Sequence, residues 1–137
     1  MLTPELKKLC DQIRETAFAI HCYHRNGHLE KIYQNAIVHR LTKQGLRVEA
    51  QKPLSVYDED GTLLGESFAD LVVEGRILVE LKAVNVLLDE HVAQVLGYLR
   101  SSRLEDGLLI NFGSRTLQIR KYVMSDAFRS NPQPQEL

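Results

Sequence analysis

The chain has 137 residues, 44% of them hydrophobic and 26% charged, enough for one domain whose core needs no disulfide or metal staple. Seventeen basic residues against 18 acidic ones leave a net charge of −1, which excludes a global positive field as the means of holding a polyanion. The first residues lack the apolar run of a signal peptide, and no stretch approaches the ~20 apolar residues of a membrane span. Cys10 and Cys22 are too few for a disulfide framework, so the expectation is a cytoplasmic protein with reduced thiols and no membrane partner.

In chain order, residues 4 to about 24 are expected to form a helix, with Thr3 as N-cap and Pro4 in the first turn, where a missing N–H costs nothing. Leu6, Leu9, Ile13, Ala17 and Ile20 recur at helical spacing and mark its buried stripe. His21, Cys22 and His24 near its end offer zinc-type ligands, but adjacent helical residues point ~100° apart. His21 therefore reads as a partly buried, hydrogen-bonded histidine near the sheet. Asn26-Gly27 breaks the helix, and a second is expected from about His28 to Gln44, ended by Gly45. Leu29, Ile32, Tyr33, Ala36, Ile37 and Leu41 form its expected inner stripe, and Glu30 sits where the helix dipole favours a carboxylate.

Residues 46 to 57 read as a strand placed at an edge or bulge by Pro53, and Asp58 to Gly61 as a turn. The stretch from Gly65 to Val84 then reads as a β-hairpin bent at Glu74-Gly75. Its odd positions, Ala69, Leu71, Val73, Ile77, Val79 and Leu81, are all apolar. Keeping them on one face requires an odd loop, most simply Val73-Glu74-Gly75 with Gly75 at positive φ, because a one-residue slip inverts a strand. That register brings Asp70, Glu80 and Lys82 to the opposite face. Charges on one face can be merely a solvated surface; here they gather at one end, among Phe68, Val72 and Leu78.

A helix is expected from an N-cap at Asp89 to about Ser101, with Val92, Val95, Leu96 and Leu99 inward and His91, Gln94 and Tyr98 on an adjoining face. Residues 107–112 and 116–123 read as two more strands. Residues 1–124 thus form the expected single domain, and 125–137 a polar, flexible tail.

Gly27-x-x-Glu30-x-x-Tyr33 resembles the signature of the GxxExxY family of small bacterial and archaeal proteins. Ala69-Asp70-Leu71 with Val79 to Val84, then Gln94-x-x-x-Tyr98, then Leu108 to Gly113, are similar to its later landmarks, in order, over roughly residues 10 to 124. His28, Phe68 and Arg25-Asn26 depart from it, and none of these removes a catalytic candidate. The family is grouped with the PD-(D/E)XK nuclease-like proteins, and the corresponding set here is Asp70…Glu80-x-Lys82.

The resemblance implies an α/β (α+β) fold with a restriction-endonuclease-like αβββαβ core, a central mixed sheet flanked by helices. It implies a nuclease acting on DNA or RNA with Mg²⁺ or Mn²⁺, an ion suited to hard oxygen ligands. Asp70, Glu80 and the Leu81 carbonyl would be ligands, with Glu30 binding through water or at a second position. Lys82 would orient or deprotonate the attacking water, Gln94 would position Lys82 or the water, and Tyr33, Tyr98 and His21 would support them. Lys31, Arg76, Lys82, Arg100, Arg103 and Arg115 could supply a basic patch, enlarged in a homodimer. The alternative is a non-catalytic module that binds nucleic acid or protein, and a weaker one a zinc protein using His21, Cys22 and His24.

Overall fold

The computed structural model describes residues 3–125 and 135–136. Three helices, α1 (Pro4–His24), α2 (Glu30–Lys43) and α3 (Asp89–Ser102), flank a mixed sheet. Its strands are β1 (Val48–Tyr57), β2 (Leu63–Val73), β3 (Ile77–Lys82), β4 (Asp106–Asn111), β5 (Gln118–Val123) and β6 (Gln135–Glu136). They lie side by side in sequence order, and every neighbouring pair is antiparallel except β3 and β4. That parallel pair is joined by the crossover through α3, as parallel strands require. The order is the expected αβββαβ arrangement with a second helix following the first and added strands at the far edge.

The sheet separates two cores. Leu6, Leu9, Ile13, Ala17 and Ile20 of α1 and Tyr33, Ile37 and Leu41 of α2 pack on Leu71, Val73, Ile77, Val79 and Leu81. On the other face Val95 and Leu99 of α3 meet Val72, Leu78 and Leu109. The odd–even division of the hairpin is therefore real, and each face is covered by helices.

Its turn is displaced by one residue. Leu71 pairs with Val79 and Val73 with Ile77, so the three-residue loop is Glu74-Gly75-Arg76, not Val73-Glu74-Gly75. Glu74 and Gly75 both take left-handed φ, 54° and 63°, and the Arg76 N–H closes on the Val73 carbonyl at 3.0 Å. Glu74 holds this conformation because its own N–H donates to the Arg47 carbonyl (2.8 Å) and its Oε2 accepts from the Arg47 N–H (2.6 Å). The parity argument survives, because both loops are odd.

Ala69 departs from that parity: it packs in the α3 core, not beside Leu71. Between the two the β1–β2 ladder passes from Ala50–Leu71 to Lys52–Ala69 without pairing Gln51 to Asp70, and Gln51 has φ 52°. The bulge of this ladder lies elsewhere, at Val56–Tyr57; the register is the same on both sides of Gln51, so this is a local inversion with no inserted residue. Beyond it residues 54–68 run past β3 as a two-stranded ribbon, since β2 pairs with β3 only over 71–73.

Other boundaries shift slightly. β1 starts at Val48 and lies at the sheet edge, as Pro53 suggested. Helix α2 begins at Glu30 instead of His28, and Leu29 (79% exposed) and Ile32 (44%) lie outside its buried stripe. Gln34 takes the inward position beside Tyr33 and Ile37 instead. For α3 the N-cap is Leu88, whose N–H is bound by His91 Nδ1 at 3.0 Å, and Asp89 is the first helical residue. Of the expected polar tail, 126–134 and 137 lie outside the described residues, while Gln135–Glu136 pairs with β5.

Candidate active site

The hairpin opens just past Leu71–Val79, and there two acidic side chains replace the missing rungs of the ladder. The Asp70 N–H donates to Glu80 Oε1 at 2.8 Å, and the Leu81 N–H donates to Asp70 Oδ2 at 2.8 Å. Each carboxylate is thus locked to the backbone of the opposite strand, Glu80 to Asp70 on β2 and Asp70 to Leu81 on β3. Along a strand, the N–H and C=O of one residue face the same edge and those of its neighbour the other. Lys82 gives its carbonyl to Phe112 N–H on the β4 side, so the Leu81 carbonyl faces the open gap where its N–H already meets Asp70.

Glu80 is 2% exposed, and burial, followed by the adjacent Asp70 charge, pushes its carboxyl up to about 9. Glu30 is exposed at the start of α2; partial desolvation raises its pKa first and the Asp70 charge second, while Lys82 opposes both. Helix α2 therefore brings a third acid within the field of Asp70.

Lys82 points toward α3, where its Nζ donates to Gln94 Oε1 at 2.7 Å. Gln94 Nε2 in turn donates to the Tyr98 hydroxyl at 2.9 Å. Burial and then the Glu80 charge raise the Tyr98 pKa, which sets this phenol close to the acids. Among the described residues Lys82 makes no direct ion pair with either carboxylate; it acts on Glu80 through space.

The exit of β3 is pinned by Asn111. Its Oδ1 accepts from the Val84 N–H (3.0 Å) and the Gly113 N–H (3.0 Å), and its Nδ2 donates to the Val84 carbonyl (2.9 Å). Gly113 lies so near that a Cβ would overlap the backbone of Ala83 and Val84. The end of β4 thereby holds the segment that carries Lys82.

Tyr33 is fully buried, stacked on Phe112 with ring centroids 4.6 Å apart. Its hydroxyl donates to the Arg25 carbonyl and accepts from the His28 N–H, so it fastens the α1–α2 connection leading to Glu30. His21 is buried with Nε2 2.9 Å from the Ser114 carbonyl, near Phe112. His21, Cys22 and His24 form no metal site: among the described residues no group of three His, Cys, Asp or Glu is arranged as a ready-made cage. That holds for Asp70, Glu80 and Glu30 as well. Arg76 lies at the turn end of β3, six residues or roughly 20 Å along the strand from Lys82, away from the acids.

A sequence profile of the PD-(D/E)XK nuclease superfamily matches residues 7–122. The chain belongs to the PD-(D/E)XK nuclease superfamily. No curated protein and no solved structure matches it. The matched stretch includes the constellation just built: Asp70 on β2, then Glu80 and Lys82 two residues apart on β3.

Two neighbours escaped the sequence reading. Gln51 Nε2 donates to Gln34 Oε1 at 3.0 Å and lies 3.4 Å from Asp70 Oδ1. Gln34 is 4% exposed. Gln51's left-handed backbone, which costs a side-chain-bearing residue about 1–3 kcal/mol, has no local sequence signal such as glycine or asparagine.

Proposed function

We propose that the protein is a divalent-metal-dependent nuclease hydrolysing phosphodiester bonds in DNA or RNA. The observation carrying this reading is the interlocked Asp70–Glu80 pair, with Lys82 beside it on the same strand. A buried carboxylate next to a second one, with no basic side chain paired to either among the described residues, is an electrostatic deficit that a divalent ion corrects.

Asp70, Glu80 and the Leu81 carbonyl are the donors that would hold Mg²⁺ or Mn²⁺, hard-oxygen ligands suited to either ion. Because Mg²⁺ keeps several waters, two carboxylates suffice without a preformed third acid, and Glu30 would reach it through water. The ion, when bound, supplies an acidified water and neutralises phosphate charge. Lys82 Nζ orients the attacking water and meets the charge that develops on the phosphate. Gln94 fixes Lys82 through its amide oxygen, and Tyr98 fixes Gln94. Tyr33 and His21 act at a distance, by holding the α1–α2 connection and the C-terminal end of α1.

The finer assignment to the GxxExxY group rests on Gly27, Glu30 and Tyr33, with Tyr33 tying Arg25 and His28 together around Gly27. Both cysteines are free, Cys10 buried and Cys22 exposed, which suits a reducing cytoplasm. No helix among the described residues is long and apolar enough to cross a membrane. A homodimer would enlarge the basic surface that a chain of net charge −1 lacks.

The test is a cleavage screen with Mn²⁺ over labelled single- and double-stranded DNA and RNA, with Glu80→Ala and Lys82→Ala as controls. Cleavage by the parent protein alone is expected. If parent and both variants behave alike on every substrate, the nuclease reading fails and a non-catalytic binding module takes its place.

A further inference from the structure

Asp70 is gripped on both oxygens, but by different elements. Its Oδ2 takes the Leu81 N–H from β3, while its Oδ1 faces the side-chain amide of Gln51 on β1 at 3.4 Å. Gln51 could not reach across as an ordinary strand residue. Its backbone leaves the ladder at this one rung, adopts φ 52°, and spends its amide on Gln34 and Asp70. A strained residue directly opposite a reactive carboxylate is an arrangement that needs a reason.

Gln34 supplies the anchor. It is buried on α2, and its Oε1 accepts from Gln51 Nε2 at 3.0 Å. It lies one turn after Glu30, so both project from neighbouring positions of one helix face. A glutamine amide has two N–H donors, enough for Gln34 and Asp70 together. Being neutral, the relay can aim a carboxylate without cancelling the charge a cation would seek.

We infer that Gln51, anchored by Gln34, is a positioning residue that sets the orientation of the Asp70 carboxylate and ties it to helix α2. The inference rests on the reading of Asp70 as a metal ligand only for its functional consequence. The positioning itself can be measured without metal. Outer partners of ligating carboxylates contribute to affinity in this way, typically tenfold or more.

The reporter is the Leu81 amide, which is hydrogen-bonded to Asp70 and therefore exchanges with solvent according to how well that carboxylate is held. In metal-free protein, Gln51→Leu and Gln34→Leu are expected to speed exchange at Leu81 about tenfold, leaving Val79 in the intact ladder unchanged. Gln51→Asn, one methylene shorter and least disruptive to folding, should behave like Gln51→Leu. In the double Leu variant, loss of Gln34 should add nothing, because it acts through Gln51. Calorimetric Mn²⁺ titrations of the same proteins should show roughly tenfold weaker binding for the Leu and Asn variants.

Unchanged Leu81 exchange in both Gln51 variants overturns the inference, as does a full additional effect of Gln34→Leu in the Gln51→Leu background. If the parent protein binds no Mn²⁺ while Leu81 exchange responds as described, the positioning role stands and the metal-dependent reading falls. If the parent binds Mn²⁺ and Leu81 exchange does not respond, the reverse holds.

Discussion

Asp70 and Glu80 each serve the other's strand: the Asp70 N–H is bound by the Glu80 carboxylate, and the Asp70 carboxylate binds the N–H next to Glu80. Two acids that would repel in isolation are thereby placed side by side, with Glu80 buried and its carboxyl pushed up to about 9 by desolvation and by its neighbour. They stand where the hairpin would otherwise need two more backbone bonds.

This arrangement makes stability depend on pH. Glu80 binds its proton more tightly folded than unfolded, where a carboxyl titrates near 4.5, so the folded state is favoured by protonation. Its contribution is fully present below about pH 4.5 and is lost as pH rises toward 9. In EDTA, the melting temperature should fall across that range, and Glu80→Gln should flatten the fall. Mn²⁺ should restore stability most at the alkaline end, as seen by thermal melts at several pH values.

Lys82→Ala should reduce cleavage by about 10²–10³-fold without abolishing Mn²⁺ binding, since its amine is bound to Gln94 and reaches the acids only through space. Gln94→Leu should cost less, roughly 10–100-fold, by letting Lys82 wander. Calorimetry and single-turnover cleavage on the same preparations separate the two effects.

Gly113→Ala should destabilise the fold by about 2–3 kcal/mol, because its methyl would overlap the Ala83–Val84 backbone and neither strand end can yield freely. Urea denaturation measures the loss. An accompanying drop in activity larger than the unfolded fraction explains would reflect displacement of Lys82.

On α2, Ile37→Ala should cost about 3 kcal/mol, and Ile32→Ala under about 1 kcal/mol, although the two residues are equally apolar. Ile37 is fully enclosed between the helices and the sheet, whereas Ile32 is partly exposed, at 44%. Paired urea titrations decide it.

Much of this was legible in the residues themselves. Parity along the hairpin is a strong code from Leu71 to Leu81, because a slip would drive Glu80 into the α1–α2 core; it holds there with the turn one residue further on than the sequence suggests, and it breaks at Asp70. The stripe of α1 was equally clear, all five expected residues being buried. The stripe of α2 was not. Tyr33, Ile37 and Leu41 recur every four residues, and whether Ile32 or Gln34 flanks them inside depends on a polar partner from β1 that no local pattern reveals. Ala69 was assigned to the wrong core for a related reason: the inversion at Gln51 and Asp70 is set between strands, not within one. Gln34 and Gln51, 17 residues apart, acquire meaning only when packing brings them together.

The interlocked acids also bear on how such a chain would decay under mutation. Asp70 and Glu80 close the backbone of the hairpin, so shortening either to alanine removes one of the two side-chain bonds between the strands as well as a charge. Lys82 closes nothing; its amine meets a side chain on a neighbouring helix. Substitution of the lysine therefore leaves the hairpin's closure intact, whereas substitution of either acid opens it.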